Sequence, residues 1–364
     1  MSVPKPNIVV GNGNAVVFTI CNLGYLPQAL VAVNSYAAVS ARARKIIFLV
    51  DAVRSSTIGD IDIVALADVV AFAQEQAIEF DSAILKHYTV TSLCTAIKPI
   101  CLLFTRVRFS GNDYYVYVDP DTYWMQTPNL ELAAGELHFF RHRNVLFDTS
   151  GYSGRNFLTF GGMNLGLIMD TGVALDTIKK WNAFALPINL ESSMLGYYTD
   201  QRPADLMVLS GQARTQYDQR INLSYWNIAD VALRQEQDSY VVEQFGEAKK
   251  LVMFHFSGYK KKLESYSAER KDEYLNHSDR TVIQGLHDKY TQLVDAERGT
   301  VKQQQIQTND YGTAHRGEIY GHLIRTRLGH YTGFRKAAMS AVVRSHTLMR
   351  AVDRFYKIKN PLKI

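Results

Sequence analysis

Apolar residues in the first half of this chain fall in short unbroken runs, separated by longer amphipathic stretches. Ala15–Cys21 (AVVFTIC) is such a run, and a β-rich run without alternation predicts a strand buried on both faces. Asn22–Gly24 predict a loop, and Pro27 starts a helix that Ala29 to Val39 continue. Lys45–Val50 predicts a second strand, closed by Asp51, and Ile63–Phe72 mixes strand and helix signals. Ser82–Phe104 predicts helix, kinked or restarted at Pro99. Tyr114–Val118 predicts another buried strand, and Leu137–Phe140 and Asn144–Leu146 predict short ones. Ser150–Asn156, rich in Gly and Ser, predicts a loop, a lid over a ligand or only a surface feature. Beyond it come an apolar strand within Phe160–Met169, a helix over Val173–Phe184 and a helix over 199–209. Ile221–Asn227 and Leu251–Phe254 read as strands. From about Tyr266 the strand signals stop, and a polar, helix-favouring segment follows, with a Gln-rich connector at Lys302–Thr308. The alternation of strand and helix predicts a mostly parallel sheet in a three-layer α/β domain.

The chain has 364 residues, 47% hydrophobic and 21% charged. That is globular composition, and the length suits two domains or one large domain with an appendage. There is no charged-then-apolar leader and no apolar run of bilayer length, so a cytoplasmic protein is expected. Cys21, Cys94 and Cys101 have no metal-ligand or redox spacing. The net charge of +5 is uneven: residues 316–364 hold eleven Lys and Arg against Glu318 and Asp353, which puts +9 there and −4 elsewhere. Tyr320, Leu323, Ile324, Leu328 and Tyr331 recur at helical spacing among these basic residues. A basic amphipathic helix suits an anionic membrane surface; the other reading is a helix packed on the first domain with a solvated basic face. No nucleic-acid motif accompanies the charge, so no nucleic-acid partner is expected.

The chemistry concentrates where Tyr114–Val118 ends in Asp119-Pro120-Asp121. Two carboxylates at the end of a buried strand place hard oxygen ligands at the edge of the sheet where open α/β folds bind ligands and divalent cations. Asp-Pro-Asp is also good turn chemistry, so a capped turn is the other reading. Three further segments stand out: Gly162-Met163-Asn164-Leu165-Gly166, Asp200-Gln201, and His255-Phe256-Ser257-Gly258-Tyr259-Lys260-Lys261. Each also has a plain structural reading, with Asn164 in a turn, Asp200 as a helix N-cap and His255 as a core histidine. Tyr225-Trp226-Asn227 reads equally as core or as a platform for a ligand.

Taken together with Thr19-Ile20-Cys21-Asn22-Leu23-Gly24-Tyr25 after the first strand, these segments resemble the GT-A glycosyltransferases. They look most like the retaining, family-8-like branch and its bacterial relatives of surface-polysaccharide synthesis. The resemblance covers roughly 14–262. It implies a GT-A catalytic domain over 1–265, a Rossmann-like, mostly parallel sheet flanked by helices, with a helical basic extension over 266–364. It implies transfer of a sugar from a nucleotide-sugar donor, a UDP-sugar, to a glycan or lipid-linked acceptor. Asp119, Asp121 and His255 would bind Mn²⁺ or Mg²⁺. Gly258 and Lys261 would approach the donor phosphates, although the family's Pro-Trp after that lysine is replaced by Lys262-Leu263. Asn164 and Asp200 would hold donor-sugar hydroxyls, Gln201 would lie near the anomeric carbon, and Lys98 would supply a basic group near the donor. Arg202 stands where the family has a second acid after Asp-Gln. Thr19, Cys21 and Tyr25 would surround the base. A lipid-linked acceptor would match a basic tail that holds the enzyme on the inner face of the cell membrane.

Two other functions fit parts of the pattern. A nucleotidyltransferase on a similar sheet needs a basic, glycine-rich triphosphate loop after the first strand, which Asn22-Leu23-Gly24-Tyr25 is not. A non-catalytic sugar-nucleotide-binding or scaffold protein would not need Asp119, Asp121 and His255 together.

Overall fold

The computed structural model describes residues 6–40, 42–78, 80, 85, 88–143, 161–194, 200–257, 280–309 and 311. The expected strand at Asn144–Leu146, the Ser150–Asn156 loop, Gly258, Lys261 and the basic tail lie outside the described residues.

In chain order the elements are β1 (Asn7–Val10), β2 (Ala15–Cys21), α1 (Leu26–Val39), β3 (Ala43–Leu49), β4 (Ser56–Ile58), β5 (Ile61–Ala65), α2 (Leu66–Glu75), α3 (Val90–Ala96) and α4 (Lys98–Arg108). Then come β6 (Tyr114–Val118), β7 (Thr122–Trp124), β8 (Leu130–Ala133), β9 (Leu137–Arg141), β10 (Met163–Asp170), α5 (Leu175–Met194), α6 (Gln201–Leu209) and β11 (Arg214–Gln216). The last are β12 (Ala232–Glu236), β13 (Ser239–Gln244), β14 (Glu247–Lys250), β15 (Met253–His255) and α7 (Arg280–Lys302).

The main sheet runs β11-β9-β10-β6-β2-β3-β5-β4. Its centre, β6-β2-β3-β5, is parallel, and β10 lies antiparallel against β6. The expected α/β architecture, a mostly parallel sheet between helices, is what the chain adopts. Alternate residues of β2 serve opposite faces. Val16, Phe18 and Ile20 pack with Phe48, Tyr117 and Phe139 under α2, α3, α4 and α5. Ala15, Val17 and Cys21 pack with Ile47, Val116 and α1 on the other side. Burial on both faces is why these strands are continuous apolar runs. The helical stretch ending at Phe104 restarts near Pro99, as its proline predicts: α3 and α4 meet at Ile97 with a bend of 49°. Among the described residues no single helix is long and apolar enough to cross a membrane.

Two regions differ from expectation. Ile221–Asn227 is not a strand. Asn222 takes a left-handed φ of +61°, Leu223 forms a lone parallel bridge to Phe254, and Asn227 Oδ1 accepts from the Ser224 N–H at 2.8 Å. Short polar side chains here build a turn in place of a ladder. Beyond it, β12-β13-β14 form an antiparallel sheet, in which β12 and β14 are mostly polar and exposed and only Tyr240–Val242 of β13 makes a short buried run.

The stretch 280–309 packs onto the sheet domain. Leu286, Tyr290 and Val294 of α7 are buried with Leu223, Leu233, Val242 and Phe254, and Phe256 stacks on Tyr290 at 3.9 Å. The Gln-rich connector then returns to the loop after β3, where the Val53 N–H donates to Gln307 O at 2.9 Å and the Asn309 N–H to Asp51 O at 2.7 Å.

Candidate active site

The carboxyl end of β6 delivers Asp119, and β7 turns back beside it. The Asp119 N–H donates to Gly166 O at 2.8 Å, which ties the strand end to β10. The Thr122 hydroxyl and N–H both donate to Asp119 O, at 2.9 and 3.3 Å, so the Asp-Pro-Asp turn does cap itself. Its carboxylates nevertheless point elsewhere. Next to β7, in antiparallel register, β15 sets His255 opposite Thr122. His255 Nε2 lies 3.0 Å from Asp121 Oδ1 and 3.7 Å from Asp119 Oδ2. One ligand atom from each of the three residues falls within 4.8 Å of the others. Two carboxylates and an imidazole form a donor set suited to a first-row divalent cation, and imidazole suits Mn²⁺ better than Mg²⁺.

Gly166 makes room for the histidine. A Cβ at this position would lie 2.5 Å from His255 Cε1, 2.7 Å from its Nδ1 and 2.8 Å from Asn164 Oδ1. The pairing of β10 with β9 shifts between Asn164 and Ile168. This irregularity lets Asn164 fold its side chain back onto the Gly166 N–H at 2.8 Å.

Lys98 is the second centre of the site. It opens α4, is 3% exposed, and holds Asp200 Oδ2 at 2.6 Å, Asp119 Oδ1 at 3.3 Å and Leu165 O at 2.9 Å. Its ammonium also lies 4.7 Å from the centre of the Tyr117 ring. Burial alone would push this ammonium's pKa down, but Asp119 and Asp200 more than offset it and hold the group above its ordinary value. Asp200 occupies the N-cap position of α6 yet makes no side-chain cap. Its carboxylate goes to Lys98. For His255, burial favours the neutral ring, while Asp121 and Asp119 outweigh burial and raise the pKa.

Gln201 follows at the start of α6. Its Nε2 reaches His142 Nε2 at 3.4 Å, and its Oε1 is buried with no hydrogen-bond partner among the described residues. A buried acceptor without a partner is unusual. His142, which the sequence did not single out, links this amide to Asn164, whose Nδ2 lies 3.2 Å from the same nitrogen. Burial pushes His142 down to about 4. Asn222, also not singled out, bridges Asn164 Oδ1 and His255 Nδ1, each at 2.9 Å. A histidine ending an apolar strand and an asparagine inside a presumed strand carry no signal of their own.

Of the remaining candidates, Asn164 is joined to His255 through Asn222 and to Gln201 through His142. Thr19 and Cys21 are buried in β2, and the Thr19 hydroxyl has no partner among the described residues. Burial pushes the Cys21 thiol well up. Tyr25 is half-buried against the α1 side of the core. Asn164 is 6% exposed, with Oδ1 accepting from both Gly166 and Asn222. Trp226 is core rather than platform: its ring meets His142 and His255 edge-on at 5.5 and 4.9 Å.

No family model and no curated protein matches the chain. Solved structures do. The galactosyltransferase LgtC, in complex with donor and acceptor sugar analogues, is 17% identical over 79% of this chain and 99% of its own, with a TM-score of 0.42. The glycosyltransferase GlyE of Streptococcus pneumoniae is 14% identical over 79% of this chain and 63% of its own, with a TM-score of 0.40. A glycosyltransferase involved in glycosylation of the major capsid of PBCV-1 is 10% identical over 59% and 87%, with a TM-score of 0.34. Likeness at these values carries no chemistry; the chemistry lies in the side chains.

Proposed function

We propose that this protein is a retaining glycosyltransferase that moves a sugar from a UDP-sugar to a glycan or lipid-linked acceptor in bacterial surface-polysaccharide synthesis. The observation that carries this reading is the convergence of Asp119, Asp121 and His255 at the carboxyl edge of the sheet, beside the buried Lys98–Asp200 pair. Bound by those three side chains, Mn²⁺ or Mg²⁺ would neutralise charge on a departing diphosphate.

The chain's own residues divide the remaining work. Lys98 keeps Asp200 ionised and aimed, and Asp200 accepts from hydroxyls of the donor sugar. Gln201 Oε1 faces the anomeric centre. Lys261 and the backbone near Gly258 approach the phosphates as a point charge and N–H donors. Thr19, Cys21 and Tyr25 border the base. The acceptor oxygen bonds to the anomeric carbon on the face that the nucleotide leaves, the bond to the diphosphate oxygen breaks, and the acceptor proton passes to a phosphate oxygen. The catalytic unit is 1–265. Of the chain from 266 on, the stretch 280–309 docks on that unit and the charge of 316–364 attaches it to the anionic inner face of the membrane.

The test measures nucleoside diphosphate release from a panel of sugar nucleotides, with and without Mn²⁺, with Asp119→Ala and Asp121→Ala alongside. Mn²⁺-dependent release that each variant abolishes, with its fold intact, is expected. Near-normal turnover by either variant at limiting Mn²⁺ overturns the metal assignment, and no turnover of any sugar nucleotide overturns the function.

A further inference from the structure

A neutral imidazole carries its proton on one nitrogen, and the other is the one that can meet a cation. For His255 the choice can be traced back to a backbone group. The Gly166 N–H can only donate, and it donates to Asn164 Oδ1 at 2.8 Å. The same oxygen lies 2.9 Å from the amide nitrogen of Asn222, which therefore donates to it. Asn222 must then turn its oxygen the other way, where it stands 2.9 Å from His255 Nδ1. That oxygen can only accept, so Nδ1 bears the proton of the neutral ring. Nε2 is left with its lone pair facing Asp121 and Asp119.

Such an arrangement is unfavourable without a positive charge between the three groups, since a lone pair would face two carboxylates. Asn222 is itself tightly held. It is 1% exposed, its φ of +61° suits asparagine, and its carbonyl accepts from Asn227 Nδ2 at 3.3 Å. Trp226 closes against the ring from the side, at 4.9 Å and 87°.

We propose that Asn222 is a positioning residue that fixes the Nδ1–H tautomer of His255 and so presents Nε2, with Asp119 and Asp121, to a divalent cation. This rests on the metal reading of the site. Groups that orient a metal-binding histidine in this way typically change affinity about 10–100-fold when removed.

Two measurements on the full chain test it: Mn²⁺ affinity from the free-ion electron paramagnetic resonance signal, and the His255 tautomer from ¹⁵N-histidine spectra of metal-free protein at a pH where the ring is neutral. Asn222→Gly removes the side chain without straining the left-handed backbone. It should weaken Mn²⁺ about 10–100-fold and release His255 from the Nδ1–H form. Asn222→Asp keeps an acceptor for that proton while losing the donor to Asn164 Oδ1, so it should retain the Nδ1–H tautomer. A folded Asn222→Gly with unchanged affinity, or with the tautomer unchanged, overturns the proposal. Should the glycine variant not fold, wild-type or Asn222→Asp protein whose neutral His255 carries its proton on Nε2 overturns it. Wild-type protein that ignores Mn²⁺, or binds it equally after Asp121→Ala, overturns the metal reading itself. Tight wild-type binding with no effect at Asn222 removes Asn222 alone.

Discussion

Gly166 and His255 occupy adjoining space so closely that a single methyl group on the glycine would stand 2.5 Å from the imidazole Cε1. The ring cannot retreat. Asn222 bonds to one nitrogen, Asp121 lies 3.0 Å from the other, and Trp226 lies against its side. Gly166 does not have a left-handed φ, so the requirement is for space and not for backbone freedom.

Gly166→Ala should therefore displace His255 or Asn164. Overpacking of this kind costs about 1–3 kcal/mol, so thermal unfolding should shift to lower temperature. Mn²⁺ affinity should fall along with transfer. A variant that binds Mn²⁺ like wild type would show that the histidine has freedom to move away, and that its position is not what the site requires.

The fold was legible where burial is complete. Ala15–Cys21 and Tyr114–Val118 are strands from end to end as their apolar runs predict, and Asp119 at the end of one of them marks the site. What the sequence hid is what polar contacts decide. Asn222 and Asn227 turn Ile221–Asn227 away from a strand through side-chain bonds that no periodicity encodes. In the sheet of β12, β13 and β14 a buried run of only three residues, Tyr240–Val242, lies between two mostly polar strands. The partners that link Lys98 to Asp200 and His142 to Gln201 are far apart in sequence, |i−j| of 102 and 59, and only the folded sheet brings them together.

Lys98→Met separates a structural from a chemical role for the buried pair. Without the ammonium, Asp200 is left buried and uncompensated. Breaking such a pair costs about 3–5 kcal/mol, which chemical denaturation would detect. Adding Asp200→Asn should recover most of that stability, because the stranded charge is gone, while sugar transfer stays abolished. A double variant no more stable than Lys98→Met would mean that the two side chains are not energetically coupled.

His142 sets a pH dependence of stability. Its ring is pushed by burial from 6.5 to about 4 in the fold, so between those values the unfolded chain binds a proton that the folded chain refuses. Stability from this group is therefore complete above about pH 6.5 and lost as pH falls toward 4. The full shift corresponds to about 3 kcal/mol. Denaturation of wild type and His142→Gln across this window should show a shallower loss in the variant. Parallel curves would mean that His142 takes up its proton in the folded state as readily as in the unfolded chain.

The basic C-terminal segment carries the last test, which rests on its charge. Residues 316–364 hold a net +9, and each basic residue near an anionic surface contributes about 1 kcal/mol. The motifs that define the candidate site all lie before this segment, the last of them at His255–Lys261. Truncation after His315 should leave the sheet domain folded and the Asp119–Asp121–His255 cluster intact. Binding to liposomes containing anionic lipid should fall sharply, while neutral liposomes should show little binding by either form. Binding of the intact chain should weaken with added salt, since exposed charges are screened within about 8 Å at physiological ionic strength. Transfer to a soluble acceptor analogue should survive truncation better than transfer to a lipid-linked one. An intact chain that ignores anionic liposomes would rule out the membrane role. A truncated chain that unfolds would assign residues 316–364 to the core of the enzyme, with their charge facing solvent.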